Sequence, residues 1–259
     1  QWGSSAFYGP VPHCFGCDQR HKLVEVTMDQ KFLTEEAILA EITGSWAGKR
    51  IKVFSETDST NIQCRRLAAE GWPEGTLVVS ECQNAGKGRR GRGWVSPAGT
   101  GIWMSLLLRP EIPPQKASML TLVAALAVEK GIRLGTGLDS RIKWPNDLVI
   151  GQKKICGILT EMRTQGNVTE HVVVGIGINA NIKEFPEEIK ESATSLYLVK
   201  GEEINRKKVI GCVMAAFEEY WGIFLQTLDL RALKEEYDAK LINLGRQVRV
   251  LEPGGEYTG

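Results

Sequence analysis

Two short turns between residues 141 and 162 constrain the fold of this chain more than any other feature. Pro145-Asn146 separates the β-forming runs 141–144 and 148–150, and Gly151-Gln152 leads from the second run into another at 154–162. Turns this short join neighbouring antiparallel strands, whereas parallel strands need a longer crossover connection. Helices are predicted elsewhere, so the sequence indicates an α/β or α+β domain with a mixed β-sheet and flanking helices.

The other elements are predicted from capping residues, turn residues and apolar runs. Helices are expected at 35–42, from 61 to about 70, and at 117–130, 206–226 and 230–241; further strands are expected at 50–54, 76–80, 102–108, 171–175 and 247–251. Thr34 should cap the first helix, and Thr60 with Gln63 matches a capping box at the second. The last strand has nothing after it with which to pair. We expect an irregular extension (1–32), a main domain (33–244) and the start of a C-terminal β segment (245–259).

The composition is that of an ordinary globular protein, with 42% hydrophobic residues, 24% charged residues and a formal net charge of +1. So small a net charge gives no overall field that would draw the chain to DNA or to anionic lipid. No apolar run approaches the ~18–20 residues that span a bilayer, and the first residues lack a signal-peptide pattern. The expectation is a soluble cytoplasmic protein without a membrane partner. Six cysteines are too few for a disulfide scaffold in 259 residues.

Residues 83–101, here called the glycine–arginine loop, form a long stretch without apolar periodicity. Between Gly86 and Trp94 it places four cations among four glycines. Glycine lets backbone N–H groups approach a phosphate, and arginine matches phosphate oxygens two at a time, so a polyphosphate or adenylate ligand is favoured. No Ser or Thr follows the Gly-Lys pair, which excludes a Walker A loop. An RNA-binding segment and a plain solvated loop stay open as alternatives.

Lys143 is a candidate for contact with a phosphoryl group. It lies between Ile142 and Trp144, and Pro145 disfavours a helix at that point, so a strand end is expected. A lysine at a strand end that faces a ligand can neutralise charge developing on a phosphate. The alternative is a surface lysine, or one paired with Asp147.

Residues 172–179 read as a buried strand that meets Gly175, Gly177 and Asn179. The pattern looks like a dinucleotide fingerprint, but that fingerprint requires a helix directly after the turn, and the sequence towards Pro186 has no helical signal. Small residues that admit a flat ligand beside the strand are the preferred interpretation. Asn179 would then bond an adenine or phosphate group, or be a satisfied turn asparagine.

Near the start, Cys14 and Cys17 form a C-x-x-C pair between His13 and His21. A tetrahedral zinc site could use all four, but the strong zinc signal has a second pair at a distance, which this sequence lacks. Redox chemistry would need a strand before the pair and a helix after it. We expect an inert extension and no metal site.

Four motifs occur in an order and spacing that carry a specific resemblance. They are Asp58-Ser59-Thr60-Asn61, the loop from Gly86 to Trp94, Lys143-Trp144-Pro145-Asn146-Asp147 and Gly175-Ile176-Gly177-Ile178-Asn179. Together they resemble the biotin–protein ligases over about residues 33–245. The resemblance implies a catalytic domain like that of class II aminoacyl-tRNA synthetases. It also implies that ATP activates biotin as biotinyl-5'-adenylate, releasing pyrophosphate, before transfer to a lysine of a biotin carboxyl carrier protein of acetyl-CoA carboxylase or a related biotin enzyme.

The resemblance assigns roles to individual positions. The residues implied for biotin are Ser59, Thr60, Asn61, Gln83, Gly86, Lys87, Gly175 and Gly177. Those implied for ATP or the adenylate are Arg89, Arg90, Arg92, Trp94, Lys143 and Asn179, with Lys143 and Arg89 catalytic. Mg²⁺ would accompany ATP, and the loop would order over the adenylate to exclude water.

Three departures from the family pattern bear on these expectations. Lys87 stands where the family loop most often has arginine, which keeps the charge but loses the planar fork. About thirty irregular residues cannot supply the winged-helix domain of many bacterial relatives, so specific DNA binding is not expected. The SH3-like barrel that ends the family is expected to be absent or incomplete. A homodimer is left open, and the competing functions are a lipoate or octanoate ligase of the same fold and a nucleic-acid-binding protein using the loop.

Overall fold

The protein, described here from a computed structural model over residues 32–252 and 255–259, is built on a mixed seven-stranded sheet. The order across the sheet is β1-β2-β3-β7-β6-β5-β4; β1 and β2 pair in parallel, and the other five neighbouring pairs are antiparallel. The strands are β1 (Arg50–Phe54), β2 (Thr76–Ser80), β3 (Ile102–Leu108), β4 (Arg141–Lys143), β5 (Asp147–Ile150), β6 (Lys153–Gln165) and β7 (Val168–Ile178). The β4-β5-β6 hairpins confirm the antiparallel pairs that the two short turns predicted.

Helices cover both faces of this sheet. They are α1 (Glu35–Leu39), α2 (Thr60–Ala69), α3 (Met119–Thr136), α4 (Leu196–Lys200), α5 (Arg206–Thr227) and α6 (Lys234–Lys240). Successive side chains of a strand point to opposite faces. Thus Leu77 and Val79 join the larger core with α3 and α5, while Val78 joins a smaller core with Cys64 and Leu67 of α2. The predicted mixed sheet with flanking helices is confirmed.

The long helix α3 extends six residues beyond its predicted end at residue 130, to Thr136. The residue after the predicted end is Gly131, and glycine usually weakens a helix. In the structure α5 packs closely at that point: a Cβ added to Gly131 would lie 2.4 Å from Val213 Cγ2. The glycine thus permits the helix contact, and α3 ends at Gly137, which is left-handed with φ 76°.

The start of α2 differs from the predicted capping box. Ser59, not Thr60, is the N-cap residue, and no side chain makes a capping hydrogen bond. The Thr60 N–H instead donates to Gln83 Oε1 of the glycine–arginine loop at 2.8 Å, because the loop lies against the helix end. The Ser59 hydroxyl therefore has no capping role. At α1 the predicted cap is confirmed, with Ala37 N–H donating to Thr34 Oγ1 at 3.1 Å.

The C-terminal strand was wrongly predicted to lack a partner. Strand β8 (Arg249–Glu252) pairs antiparallel with β9 (Gly255–Thr258) as a separate two-stranded sheet. The segment between them is rich in the turn-forming residues Pro and Gly, a signal that the sequence interpretation did not use. The SH3-like barrel stays a prediction.

Two other expectations concern the chain as a whole. The Cys14–Cys17 cluster and all but one residue of the predicted extension lie outside the described residues. Among the helices of the described part, none has both the length and the apolar character that crossing a membrane requires.

Candidate active site

A cleft of about 460 Å³ lies between the N-terminus of α2, strands β6 and β7, and the glycine–arginine loop. This volume includes space that is open to solvent. The cleft brings together these residues implicated by the sequence: Ser59, Thr60, Asn61, Gln83, Lys87, Arg89, Trp94, Gly175 and Gly177. Its other lining residues are Gly88, Met104, Asn146, Lys154, Gly157, Ile158, Leu159 and Ile176.

The polar wall of the cleft is a continuous hydrogen-bond network. Asn61 Nδ2 donates to Glu161 Oε2 at 2.7 Å, and Asn61 Oδ1 lies 2.6 Å from the Ser105 hydroxyl. That hydroxyl is also 2.8 Å from Thr60 Oγ1, and Gln83 Oε1 accepts from the Thr60 N–H. The protein thus holds Asn61 in one amide orientation. Asn61 shapes the wall of the cleft, while Ser59 beside it has no capping bond.

Asp58 anchors the backbone in front of this wall. Burial alone would raise the pKa of Asp58, but hydrogen bonds from the Ser59 N–H and from Thr57, together with the Arg66 guanidinium, lower it. The Ser59 N–H donates to Asp58 Oδ1 at 2.7 Å, and Arg66 Nη2 lies 3.1 Å from Asp58 Oδ2. Asp58 is therefore ionised at neutral pH and fixes the backbone at Ser59.

Glycines make the floor of the cleft because other side chains already occupy the space above them. A Cβ on Gly175 would lie 2.1 Å from Asn61 Oδ1, and a Cβ on Gly177 would lie 2.8 Å from Trp94 Nε1. Trp94 also stands over Gly157, where an added Cβ would lie 3.0 Å from the indole. The indole N–H of Trp94 is buried and has no hydrogen-bond partner among the described residues. The glycines therefore let Asn61 and Trp94 pack directly against β6 and β7.

The glycine–arginine loop folds back on itself as an irregular hairpin. Isolated antiparallel β-bridges pair Gln83 with Ser96 and Lys87 with Gly93. Between them, the Trp94 N–H donates to Gly86 O at 2.9 Å. At the tip, residues 89–91 form a 3₁₀ turn in which Arg90 is left-handed, with φ 59°. The loop is thus an ordered hairpin whose tip is exposed, and its closing over a ligand stays a prediction.

Arg89 links the tip of this loop to the turn after β4. Its Nη1 donates to Asn146 Oδ1 at 2.9 Å, and Asn146 Nδ2 donates to Ile158 O of β6 at 3.0 Å. Arg90 and Arg92 are exposed and do not line the cleft. Gly86 does not line the cleft either; it packs against the backbone of Trp94, where an added Cβ would lie 2.4 Å from Trp94 O.

Two lysines occupy different positions relative to the cleft. Lys143 is exposed at the end of the edge strand β4 and does not line it. Lys154 does line it, with Nζ 5.0 Å from the Trp94 ring centroid and 2.7 Å from Asp147 Oδ1. The sequence interpretation missed Lys154. The same argument about a cation at a strand end applies to it, since β6 begins one residue earlier and runs beside the glycine-rich β7.

Asn179 lies behind the site rather than in it. Its Nδ2 donates to Thr194 O at 3.0 Å, and its N–H donates to Ile155 O at 2.8 Å. Asn179 is 5% exposed, so it joins the end of β7 to the start of β6, next to Lys154. This matches the alternative of a satisfied asparagine at a turn.

The described residues offer little other reactive chemistry. Within residues 32–252 and 255–259, no group of three or more His, Cys, Asp or Glu side chains could hold a metal ion. Cys156 lies between Lys154 and Gly157, but burial raises its pKa, so its thiol is not a nucleophile at neutral pH. The cleft provides amides, hydroxyls, a carboxylate-paired ammonium and an arginine-bearing loop, which suit binding of an anionic ligand with a polar ring.

Comparison with known proteins assigns this chain to one family. The biotin/lipoate A/B protein ligase family matches residues 52–179, from β1 to the end of β7. The chain is 40% identical over 229 residues to the bifunctional ligase/repressor BirA of Bacillus spizizenii, covering 88% of this chain and 70% of that protein. It is 30% identical to the biotin–[acetyl-CoA-carboxylase] ligase of Mycobacterium tuberculosis, covering 86% of this chain and 83% of the relative.

A solved structure agrees with these relatives. The biotin protein ligase of Aquifex aeolicus in complex with biotin and ATP superposes with a TM-score of 0.71 and 34% identity, over 82% of this chain and 86% of that one. The chain therefore belongs to the biotin–protein ligase family and is an enzyme of the ligase class. The resemblance of the four motifs is confirmed at the level of family and fold.

Proposed function

We propose that this protein activates biotin with ATP as biotinyl-5'-adenylate and transfers the biotin to a lysine of a biotin carboxyl carrier protein. The observation that carries the proposal is the cleft itself: a glycine-floored slot, with amides and hydroxyls at one side and Lys154 under a cationic loop at the other. Two relatives support the substrates, since one is named for acetyl-CoA carboxylase and the other was solved with biotin and ATP.

The biotin ring fits the narrow part of the cleft. Its ureido group is flat, with two N–H donors and a carbonyl acceptor. Ser59 and Gln83 stand at the polar wall, and Gly175 and Gly177 line the cleft beside it without side chains of their own. We infer that Ser59 bonds the ureido group, because its hydroxyl is not used as a cap. Asn61 and Thr60 hold the wall in shape.

At the reacting end we assign to Lys154 the role that the sequence suggested for Lys143. The carboxylate of biotin and the α-phosphate of ATP are both anionic, so a cation must lie between them in the transition state. Lys154 is the lysine that lines the cleft on the strand side, whereas Lys143 is exposed outside it. The Lys154 ammonium would exchange its partner Asp147 for the two reacting anions.

The chemistry balances in two steps. A carboxylate oxygen attacks the α-phosphorus, and the bond from that phosphorus to the pyrophosphate oxygen breaks. The amine of the carrier lysine then attacks the acyl carbon, AMP leaves with the electron pair of the anhydride bond, and the amine loses a proton to solvent. ATP enters as its Mg²⁺ complex, so the metal arrives with the substrate.

The glycine–arginine loop would close over the adenylate between these steps. Its four cations match the charges of ATP, and Arg89 is already fixed to Asn146 at the rim of the cleft. A mixed anhydride hydrolyses if water enters, so closure protects the intermediate. Trp94 would cover adenine from its position over Gly177, and Arg90 and Arg92 would reach the phosphates from the tip.

The test is pyrophosphate release by the purified chain with MgATP and biotin, compared with lipoate and octanoate. We expect release with biotin and biotinylation of a carrier domain. Release with lipoate alone would establish the lipoate ligase, and absence of release with all three acids in a folded sample would refute activation.

Binding to DNA is a separate question because the Bacillus relative is named a ligase and repressor. We keep the expectation that this chain does not bind operator DNA specifically. A sequence-dependent gel shift that resists salt would contradict it, whereas phosphate contacts from the loop alone would be salt-sensitive.

A further inference from the structure

A buried ion pair lies where the two ends of the glycine–arginine loop meet. Glu81 is the residue after β2, just before the loop, and Arg206 is the first residue of α5. Their side chains are 7% and 4% exposed, and two bonds join them: Arg206 Nη1 to Glu81 Oε2 at 2.8 Å and Nη2 to Oε1 at 3.1 Å. No residue of this pair lines the cleft.

The pair also holds the far end of the loop. The Gly99 N–H donates to Glu81 Oε2 at 3.1 Å, and Arg206 Nη1 donates to Gly101 O at 3.0 Å. Between these two residues, Thr100 O accepts from the Asn181 N–H. The residues before and after the loop are therefore fixed to the same buried point.

The position of Arg206 is unfavourable without Glu81. A cation at the N-terminus of a helix opposes the helix dipole, and a buried guanidinium loses its hydration. The α5 end is capped by Asn205, whose side chain accepts from the Lys208 N–H, so the helix does not need Arg206 for its own stability. Asn181 further ties this end to the loop, since its side chain bonds both the N–H and the C=O of Ile204.

We propose that Glu81 and Arg206 are positioning residues that set the separation of the loop's two ends, and thereby the fit of the closed loop over the acyl-adenylate. Buried ion pairs give little stability compared with apolar residues of similar volume. Here the two bonds between the carboxylate and the guanidinium hold Glu81 and Arg206 in one relative orientation. Gln83 is two residues from Glu81, and its side chain meets both Thr60 and Ser96. A shift at the pair therefore reaches the loop and the ring-binding wall together. This inference rests on the proposed function for its ligand, although not for its effect on the loop.

The first measurement follows the loop without any substrate. We would compare hydrogen exchange of peptides covering residues 83–101 in the parent and in the double variant Glu81→Gln/Arg206→Met. The Glu81–Arg206 ion pair is called the clamp below, and this double variant the clamp variant. The matched control is Glu129→Gln/Lys240→Met, which removes another ion pair with a buried glutamate, 2.7 Å apart, between α3 and the end of α6. We expect exchange in the loop to rise about tenfold in the clamp variant alone, which corresponds to about 1.4 kcal/mol.

The second measurement follows the intermediate. Biotinyl-adenylate should dissociate about tenfold or more faster from the clamp variant than from the control, since a misplacement of about 1 Å at a closing element costs up to about 10²-fold. Arg206→Lys keeps the charge but cannot form both bonds, so it should give an intermediate effect and serves if the double variant does not fold.

The outcomes separate the two proposals. Loop exchange equal to that of the control would overturn the positioning role, whether or not adenylate forms. If the parent forms no adenylate while loop exchange rises in the clamp variant alone, the clamp stands and the proposed reaction fails. Faster exchange throughout the clamp variant would show a general structural role and would also overturn the proposal.

Discussion

The floor and the roof of the cleft are built in different ways. The floor consists of the neighbouring strands β6 and β7, where Gly175 and Gly177 lie in a continuous ladder from Cys156–Ile178 to Met162–Val172. The roof is the glycine–arginine loop, fixed at its ends by Glu81 and Ser96 but exposed at its tip. A rigid floor suits recognition and charge placement, while an exposed loop tip can open and close.

This difference implies that substitutions in the two regions should change different measured quantities. A change in the floor should alter the rate of adenylation or the affinity for biotin. A change in the roof should alter how long the intermediate is retained, with a smaller effect on its formation.

The largest effect is expected from Lys154→Ala, in the floor. Loss of the cation beside the reacting anions should lower single-turnover adenylation by about 10²–10³-fold. Lys143→Ala is the matched control: it removes an exposed lysine from the edge strand and should leave the rate within about threefold, as surface substitutions usually do. If Lys143→Ala shows the large loss and Lys154→Ala does not, the original assignment to Lys143 is restored.

The two lysines also show what the sequence could establish at the site. Chemistry and family motifs indicated a lysine at a strand end in this segment, and nine of the site residues named from sequence do line the cleft. The choice between Lys143 and Lys154 depends on the order of the strands, because β6 pairs with β7 while β4 is at the edge. That order comes from long-range packing, which a local pattern does not contain.

The same limit applies to the fold. Turns and strand patterns predicted the mixed sheet, but the helix end at Thr136 was missed, since Gly131 is explained by contact with Val213 of α5 and not by its own propensity. The capping box failed for a similar reason: Gln83, 23 positions away, satisfies the N–H of Thr60. Distant partners decided both cases.

A smaller effect is expected when a methyl group is added to the floor. In Gly175→Ala the new Cβ would lie 2.1 Å from Asn61 Oδ1, so the polar wall must shift. We expect biotin affinity to fall about 10–100-fold, consistent with the roughly 1–3 kcal/mol that overpacking costs. Titration calorimetry measures this.

Gly222→Ala in α5 is the control, because a Cβ there has nothing within 4 Å. It should leave the affinity unchanged and slightly stabilise the helix. Unchanged biotin affinity in Gly175→Ala would mean that the floor adapts to the added methyl group. It would then contradict the distinction between a rigid floor and a movable loop.

In the roof, Arg89→Gly removes the bond to Asn146 at the rim. Adenylate should still form at a rate within a few-fold of the parent, but it should dissociate about tenfold faster, because a single charge-assisted hydrogen bond is worth about 1.5–3 kcal/mol. Released biotinyl-adenylate acylates exposed lysines, so a blot should show biotin on an unrelated protein. Arg89→Lys keeps the charge, and its adenylate should dissociate at a rate between those of the parent and of Arg89→Gly. Equal retention in Arg89→Gly and the parent would show that the tip does not act as a lid.

The smallest effect concerns the far end of the floor, where His171 is buried in β7. Burial lowers the pKa of His171, against the attraction of Glu170, and Arg109 and Arg163 lower it further. The unfolded chain then binds a proton at His171 at a higher pH than the folded chain does. The free energy of unfolding therefore keeps the full contribution of neutral His171 above about pH 6.5, and it decreases as the pH falls below that value. Between pH 7.5 and 5.5, thermal unfolding should show a decrease in Tm of roughly 2–4 °C that His171→Gln lacks. The protection factors of the loop amides, which correct for the intrinsic pH dependence of amide exchange, should stay the same over this range in both proteins, because His171 lies towards the end of β7 opposite to Gly175 and Gly177. If His171→Gln loses as much stability as the parent, the acid sensitivity lies elsewhere, and if the loop protection factors change with pH, the floor and roof are not independent.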